Sequence, residues 1–323
     1  MSRPILQIRD LRVEYATSSG AARAVDGVTL DLAQGEFLAI VGESGCGKTT
    51  LLFAVAQLLT YPASTVGGSV LFDGVDLTAL SPEELRVRRW RDISVVMQSA
   101  MNALNPTLTI GAQLADACRA HTEWDDKRIH ERSVEVLSMV SIDAVHLKSF
   151  PFQLSGGMRQ RAMIAMALLL EPKLVIMDEP TSALDVVAQR SLMRQVESLR
   201  RQLGFSVLFV THDMSVVSHF SDRLAVMYAG QVVELGRTRE VFDRPEHPYS
   251  KGLMEAFPSL LGAPRRLTGI AGTPPSLVNP PPGCLFAPRC AHATDECRSV
   301  LPELITNEER AVRCHLVNPV VRS

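Results

Sequence analysis

The chain has 323 residues, room for two or three domains. Its apolar fraction of 46% allows a sizeable core, and 33 Lys and Arg against 35 Asp and Glu leave a formal charge of −2, which argues against electrostatic capture by nucleic acid or an anionic membrane surface. No stretch approaches the roughly 18 to 20 apolar residues that span a bilayer: the most apolar, Ala162 to Leu170, ends at Glu171, and the N-terminus "MSRPILQIRD" lacks a secretory apolar core. The expectation is a cytosolic chain whose membrane role comes through partners.

In chain order, residues 5–15 and 24–33 read as strands joined by a Gly/Ser-containing turn. Residues 36–41 form a short, continuously apolar strand of the buried type. A helix is expected from about Lys48 to Leu59, then strands near 69–73 and 92–97. From about 104 to 155 the pattern turns helical with polar, charged faces and reads as a helical insertion. A helix from about Gly156, a strand at Leu174 to Met177, a helix from Val187 to Leu203 and a strand at Ser206 to Thr211 follow. Strands near 223–228 and 231–235 suggest a hairpin turning at Ala229-Gly230. The alternation argues for an α/β layered domain over 1–257. Beyond it, in 258–323, the composition shifts: Pro274, Pro275, Pro280, Pro281, Pro282 and Pro288 fall within eighteen residues, which excludes regular helix or central strand there.

The stretch "VGESGCGKTT" fits G-x-x-x-x-G-K-[ST] through Gly42, Gly47, Lys48 and Thr49, after an apolar strand and before a helix. Its nucleotide-contacting set is Gly42, Ser44, Gly45, Cys46, Gly47, Lys48, Thr49 and Thr50. Glycines let the backbone N–H groups turn inward, and the helix N-terminus adds positive potential, so that phosphate oxygens are cradled. Lys48 places a point charge on the β- and γ-phosphates, and Thr49 offers a hydroxyl to Mg²⁺. Cys46 reads as a small filler. In "LVIMDEP" a buried strand delivers Asp178 as the Mg²⁺ carboxylate, and Glu179 follows as the group that polarises the attacking water. A third signal is Ser155-Gly156-Gly157, a second helix start suited to an anion. Two phosphate-binding ends with one lysine-bearing loop make sense if the second serves a nucleotide held by another subunit.

This combination resembles the ATP-binding subunits of ABC transporters over residues 1 to about 257. The resemblance implies a P-loop nucleotide-binding fold, with a RecA-like core, an antiparallel β-subdomain and a helical subdomain at about 104–155. It implies roles for Tyr15 (stacking on adenine), Gln98 (touching Mg²⁺ and the water), the Ser182–Asp185 loop (crossing a dimer interface) and His212 (contacting the γ-phosphate). Every hydrolytic position is filled, so an active ATPase is expected. The tail, from His247 to Cys314, looks like the C-terminal region of dipeptide/oligopeptide importer ATPases. Its matching positions include Pro248, Tyr249, Gly272, Gly283, Cys284, Phe286, Arg289 and Cys290, and "ALNP" after Gln98 fits the same subfamily. The implied machine has two membrane-spanning permeases, an extracytoplasmic binding protein and a second, different ATPase, with this chain peripheral on the cytoplasmic face of the cell membrane. Nickel, glutathione or oligosaccharide are alternative cargoes. A soluble ABC ATPase of translation or DNA repair is the other class, disfavoured by a single cassette without coiled-coil heptads.

Cys284, Cys290, Cys297 and Cys314 cluster in the tail, and in a reducing cytosol they read first as a metal site. The spacing C-x5-C-x6-C-x16-C fits structural zinc poorly and suits an iron–sulfur cubane. The resemblance implies a 4Fe–4S cluster, with zinc as the alternative and His292 and His315 near enough in sequence for a mixed site. Its expected role is to staple a tail that lacks a core of its own.

Overall fold

The computed structural model describes residues 4–98, 103–182, 184–256, 269–307 and 310–317. The expected boundary at 257/258, residues 99–102 after Gln98, and Ala183 lie outside them. The chain forms two compact units, one within 1–5, 32–37 and 79–209, the other within 6–31, 38–78 and 210–323. The tail residues 269–317 thus belong to the same unit as the glycine loop.

The second unit holds two sheets. Strands β1 (Pro4–Thr17), β2 (Gly20–Ala33), β4 (Ala63–Phe72) and β5 (Val75–Asp76) lie in the order β2-β1-β4-β5, with β1 antiparallel to β4. In the other sheet β3 (Phe37–Val41) runs parallel to β9 (Arg223–Tyr228), with Val41 opposite Val226. All five residues of β3 are buried, as the unbroken apolar run requires of a strand covered on both faces. β9 turns at Ala229-Gly230, both at positive φ (46° and 85°), into β10 (Gln231–Arg237), which is the expected hairpin.

Sequence reading did not expect strands in the tail. β12 (Arg310–Val312) nevertheless pairs with the edge of β10, Val312 opposite Glu234 and Ala311 opposite Leu235, and β11 (Ile305–Asn307) pairs with β12. Nor is the tail without apolar anchorage. Phe286 sits edge-on to Tyr228 (centroids 5.3 Å, 88°) and to Tyr249 (5.4 Å, 61°) and contacts His247 at 5.8 Å. Such pairs add about 0.5–1.5 kcal/mol each beyond area burial. His247 and Tyr249 belong to the start of a helix, Pro248–Glu255, which His247 caps by accepting the Tyr249 amide on Nδ1. Burial, and then the charge of Arg313, push His247 down to about 3, so the ring is neutral and free to act as that acceptor. The tail, expected to lack a core of its own, borrows that of the glycine-loop unit and so has apolar anchorage besides any metal.

In the first unit β6 (Ile93–Val96) is parallel to β7 (Leu174–Asp178), Val96 opposite Met177, and β8 (Ser206–Val210) lies on the far side of β7. The helical insertion is present as α3 (Ile110–His121) and α4 (Asp126–Met139), numbered after the helices Lys48–Val55 (α1) and Pro82–Arg88 (α2). Helix α5 (Gly156–Ala167) opens at Ser155, and α6 (Val186–Leu203) ends at Gly204 in the left-handed conformation, φ 75°. Arg132, in the apolar stripe of α4 and only 1% exposed, donates from Nε and Nη2 to the carbonyls of Leu169 and Leu168 at 2.8 and 3.0 Å and pairs with Glu135 and Glu171. It satisfies the carbonyls just beyond the C-terminal end of α5, the helix that Ser155 begins.

Candidate active site

The glycine loop leaves β3 at Val41 and enters α1 at Lys48. Its shape is enforced at two glycines. Gly42 has φ 155°, and a Cβ there would lie 2.2 Å from the Met227 carbonyl oxygen. Gly47 has φ 102°, and its Cβ would lie 1.9 Å from the carbonyl oxygen of Ala24. Gly230 donates to the Cys46 carbonyl at 2.9 Å, so the β9–β10 turn also braces the loop. Lys48 is buried; its Nζ donates to the carbonyls of Gly42 (2.9 Å) and Glu43 (3.0 Å), with the Cys46 sulfur at 3.7 Å. The ammonium is thereby held at the centre of the loop, where a phosphate oxygen needs it. Burial pushes the Cys46 thiol up, against the opposing Lys48 charge, which fits a filler and not a nucleophile. Ser44, Gly45 and Thr49 are exposed and Thr50 is buried. Tyr15 is half-buried, its hydroxyl 3.1 Å from Thr50 Oγ1, which fixes the ring beside the loop. His212 is exposed in the same unit.

The other expected residues lie in the first unit. The register of β6 and β7 sets Gln98 and Glu179, each two residues past the paired Val96 and Met177, at the same C-terminal edge, where open α/β sheets bind ligands. Gln98 Nε2 donates to Glu179 Oε2 at 2.9 Å. Glu179 has φ 44°, a left-handed conformation that costs a non-glycine residue about 1–2 kcal/mol. Asp178, the last residue of β7, is 2% exposed. Ser155 is exposed and caps α5, its Oγ accepting the Met158 amide at 3.3 Å, while Gly156 and Gly157 form the helix's first turn. Asp185 caps α6 by accepting the Ala188 amide at 2.8 Å.

Sequence reasoning gave no role to Glu43, Tyr249 or Arg289. The Glu43 amide donates to the Tyr249 hydroxyl at 2.9 Å, and the Glu43 carboxylate receives Arg289 Nη1 and Nη2 at 2.8 and 3.0 Å. Arg289 and Tyr249 had a signal only as matched positions of the tail.

The tail cysteines fit the expected metal site less well. Cys284 is tied by its amide to the Cys297 carbonyl (2.8 Å), and the Cys297 sulfur lies 3.2 Å from Thr294 Oγ1. Burial pushes the thiols of Cys284, Cys290 and Cys314 up, and neighbouring cysteines of the four add to each shift. Cys284 and Cys297 are thus adjacent through the backbone. Yet among the described residues no group of three or more His, Cys, Asp or Glu side chains is placed to hold a metal ion. His315 Nε2 is already bonded to the Val300 carbonyl at 2.9 Å, and His292 is exposed.

The loop geometry separates two glycine substitutions. Gly47→Ala drives a methyl into the Ala24 carbonyl and should abolish MgATP binding in a calorimetric titration. Gly45→Ala meets nothing within 4 Å and carries only its φ strain of about 1–2 kcal/mol, so it should bind within about tenfold of wild type. Equal binding by both variants would contradict this account of the loop.

Comparison with known proteins places these features in one family. The ABC transporter family matches residues 25–182, and the oligopeptide/dipeptide transporter C-terminal region matches 233–297. The chain is 44% identical over 316 residues to the dipeptide transport ATP-binding protein DppD of Bacillus subtilis, covering 97% of this chain and 94% of that protein. It is 42% identical to the oligopeptide transport ATP-binding protein OppD of Salmonella typhimurium, covering 92% and 89%. Among solved structures, the dimeric, post-hydrolysis ATP-binding cassette MJ0796 bound to ADP and Pi superimposes with a TM-score of 0.65 at 28% identity, over 72% of this chain and 99% of that one. The mixed α/β fold is that of an ABC ATPase, and the chain belongs to the family of ATP-binding subunits of dipeptide and oligopeptide ABC transporters.

Proposed function

We propose that this chain is the ATP-hydrolysing subunit of an importer that carries di- or oligopeptides across the cytoplasmic membrane. The observation that carries the reading is similarity to peptide-transport ATP-binding proteins over 97% of the chain, the tail included. No helix among the described residues is long and apolar enough to cross a membrane. Translocation is accordingly assigned to two permease subunits, fed by an extracytoplasmic binding protein, with this chain peripheral on the cytoplasmic side. A second, different ATPase is the proposed partner in a heterodimer.

In this reading the loop amides and Lys48 hold the β- and γ-phosphates, and Tyr15 stacks on the adenine. Thr49, Gln98 and Asp178 are the proposed Mg²⁺ ligands; a buried carboxylate, an amide oxygen and a hydroxyl suit a hard cation, which when bound neutralises charge on the phosphates. Glu179, oriented by its bond from Gln98, accepts a hydrogen bond from the attacking water and strengthens it as a nucleophile. His212 donates to the γ-phosphate. Ser155, Gly156, Gly157 and Asp185 serve the nucleotide bound by the partner subunit.

For the tail we propose the 4Fe–4S cluster implied by the resemblance, held by Cys284, Cys290, Cys297 and Cys314, with zinc as the alternative. The four cysteines of the tail sequence and the backbone contact of Cys284 with Cys297 support it; the lack of a three-ligand group among the described residues counts against it. Metal analysis of anaerobically purified protein decides: about four irons per chain are expected, and one zinc without iron would refute the cluster.

Hydrolysis tests the main reading. Glu179→Gln keeps the side chain's shape and removes its basic carboxylate, so ATP binding should persist while turnover falls by at least about 10²-fold. Undiminished turnover in the assembled complex would sink the assignment.

A further inference from the structure

Arg289 lies in the tail, one residue before Cys290, yet its side chain is only 4% exposed. All five of its N–H donors find acceptors. Nε donates to the Ala271 carbonyl (2.8 Å), Nη2 to the Ile270 carbonyl (3.1 Å), Nη1 to the Tyr228 hydroxyl (3.3 Å), and the fork closes on both oxygens of Glu43. The guanidinium also lies over the rings of Tyr228 (5.7 Å) and Phe286 (5.9 Å). An arginine satisfied at every donor holds its partner in one orientation, which a lysine at the same place could not do.

The partner is what matters. Glu43 is the second residue of the glycine loop, and it is fixed from three directions. Its carboxylate is held by Arg289, its amide by the Tyr249 hydroxyl (2.9 Å), and its carbonyl oxygen receives Lys48 Nζ (3.0 Å). One residue therefore links the tail's guanidinium to the loop's phosphate-binding ammonium, across 246 positions of sequence.

We propose that Arg289 is a positioning residue for nucleotide binding: through Glu43 it sets the phosphate loop and Lys48, so that the cysteine-bearing tail controls the affinity of the ATP site. This rests on the functional reading above and deepens it. Cys290 and Cys284 flank Arg289 in one turn, the Ala287 amide donating to the Cys284 carbonyl (3.0 Å) and the Cys290 amide to the Ala287 carbonyl (3.3 Å), so the cysteines and the arginine share one backbone segment.

The test is MgATP affinity of the full chain, by calorimetry, for Arg289→Gln, Glu43→Gln and the double variant, with melting temperatures measured alongside. Glu43 is 27% exposed on its side chain, so Glu43→Gln approaches the same contact without emptying a buried site. Each single variant should weaken binding about tenfold, and the double variant should be no weaker than the worse single one, because both remove one shared interaction. Arg289→Lys should recover only part of the loss. A lower melting temperature with unchanged affinity would make Arg289 an anchor of the tail only and overturn the proposal, as would losses that multiply in the double variant. If the wild-type chain bound no ATP, the functional reading itself would fall, and this proposal with it. Wild-type binding matched by Arg289→Gln removes the coupling alone.

Discussion

A phosphate loop works only if its backbone is held in a conformation that few residues can adopt. Here the constraint is close approach of main chain to main chain: Gly47 against the Ala24 carbonyl and Gly42 against that of Met227, both at positive φ. Strands β2 and β9 thus shape the loop from either side, and the Gly230 amide ties the β9–β10 turn to the Cys46 carbonyl. Lys48 is a consequence of that shape. Its Nζ is held by two loop carbonyls, so its charge is in place without a further reorganisation of the chain.

The tail belongs to the same arrangement. A segment rich in proline loses little conformational entropy on ordering and offers few backbone donors. It is held instead by what it inserts: Phe286 among Tyr228, Tyr249 and His247, Arg289 onto Glu43, and Arg310–Val312 along the edge of β10. At its other end the Arg313 amide bonds the Val233 carbonyl at 2.9 Å. Removing these contacts would expose an aromatic cluster and an unpaired strand edge. The tail is therefore linked directly to the phosphate loop through Arg289 and Glu43, whatever its cysteines hold.

The features legible in the sequence are the local ones. β3 is an unbroken apolar run, β7 is apolar up to its terminal Asp178 and β8 is apolar after Ser206, and the glycine loop and Ser155 helix start carry their chemistry within a few residues. The turn at Ala229-Gly230 also follows from residue type. What was not legible depends on distance in sequence. Nothing near Glu43 distinguishes it from any exposed acid until Arg289 arrives. Arg132 sits in the apolar stripe of α4 and reads as a pattern error until the carbonyls of Leu168 and Leu169 are placed beside it. The strands Ile305–Asn307 and Arg310–Val312 are three residues each, too short to show alternation, and form because β10 offers an edge. Cysteine spacing likewise suggested a ligand set but could not place the sulfurs, since Cys284 and Cys297 are brought together by backbone pairing and not by their separation along the chain.

The central claim is that the loop and the tail form one cooperative unit. Native-state hydrogen exchange reads this directly through four amides with defined partners: Glu43 and Gly230 around the loop, Cys284 and Arg313 in the tail. If the claim holds, all four exchange through a common opening with the same free energy and the same denaturant dependence. Exchange of Cys284 and Arg313 through a separate, lower-energy opening that leaves Glu43 and Gly230 protected would contradict it.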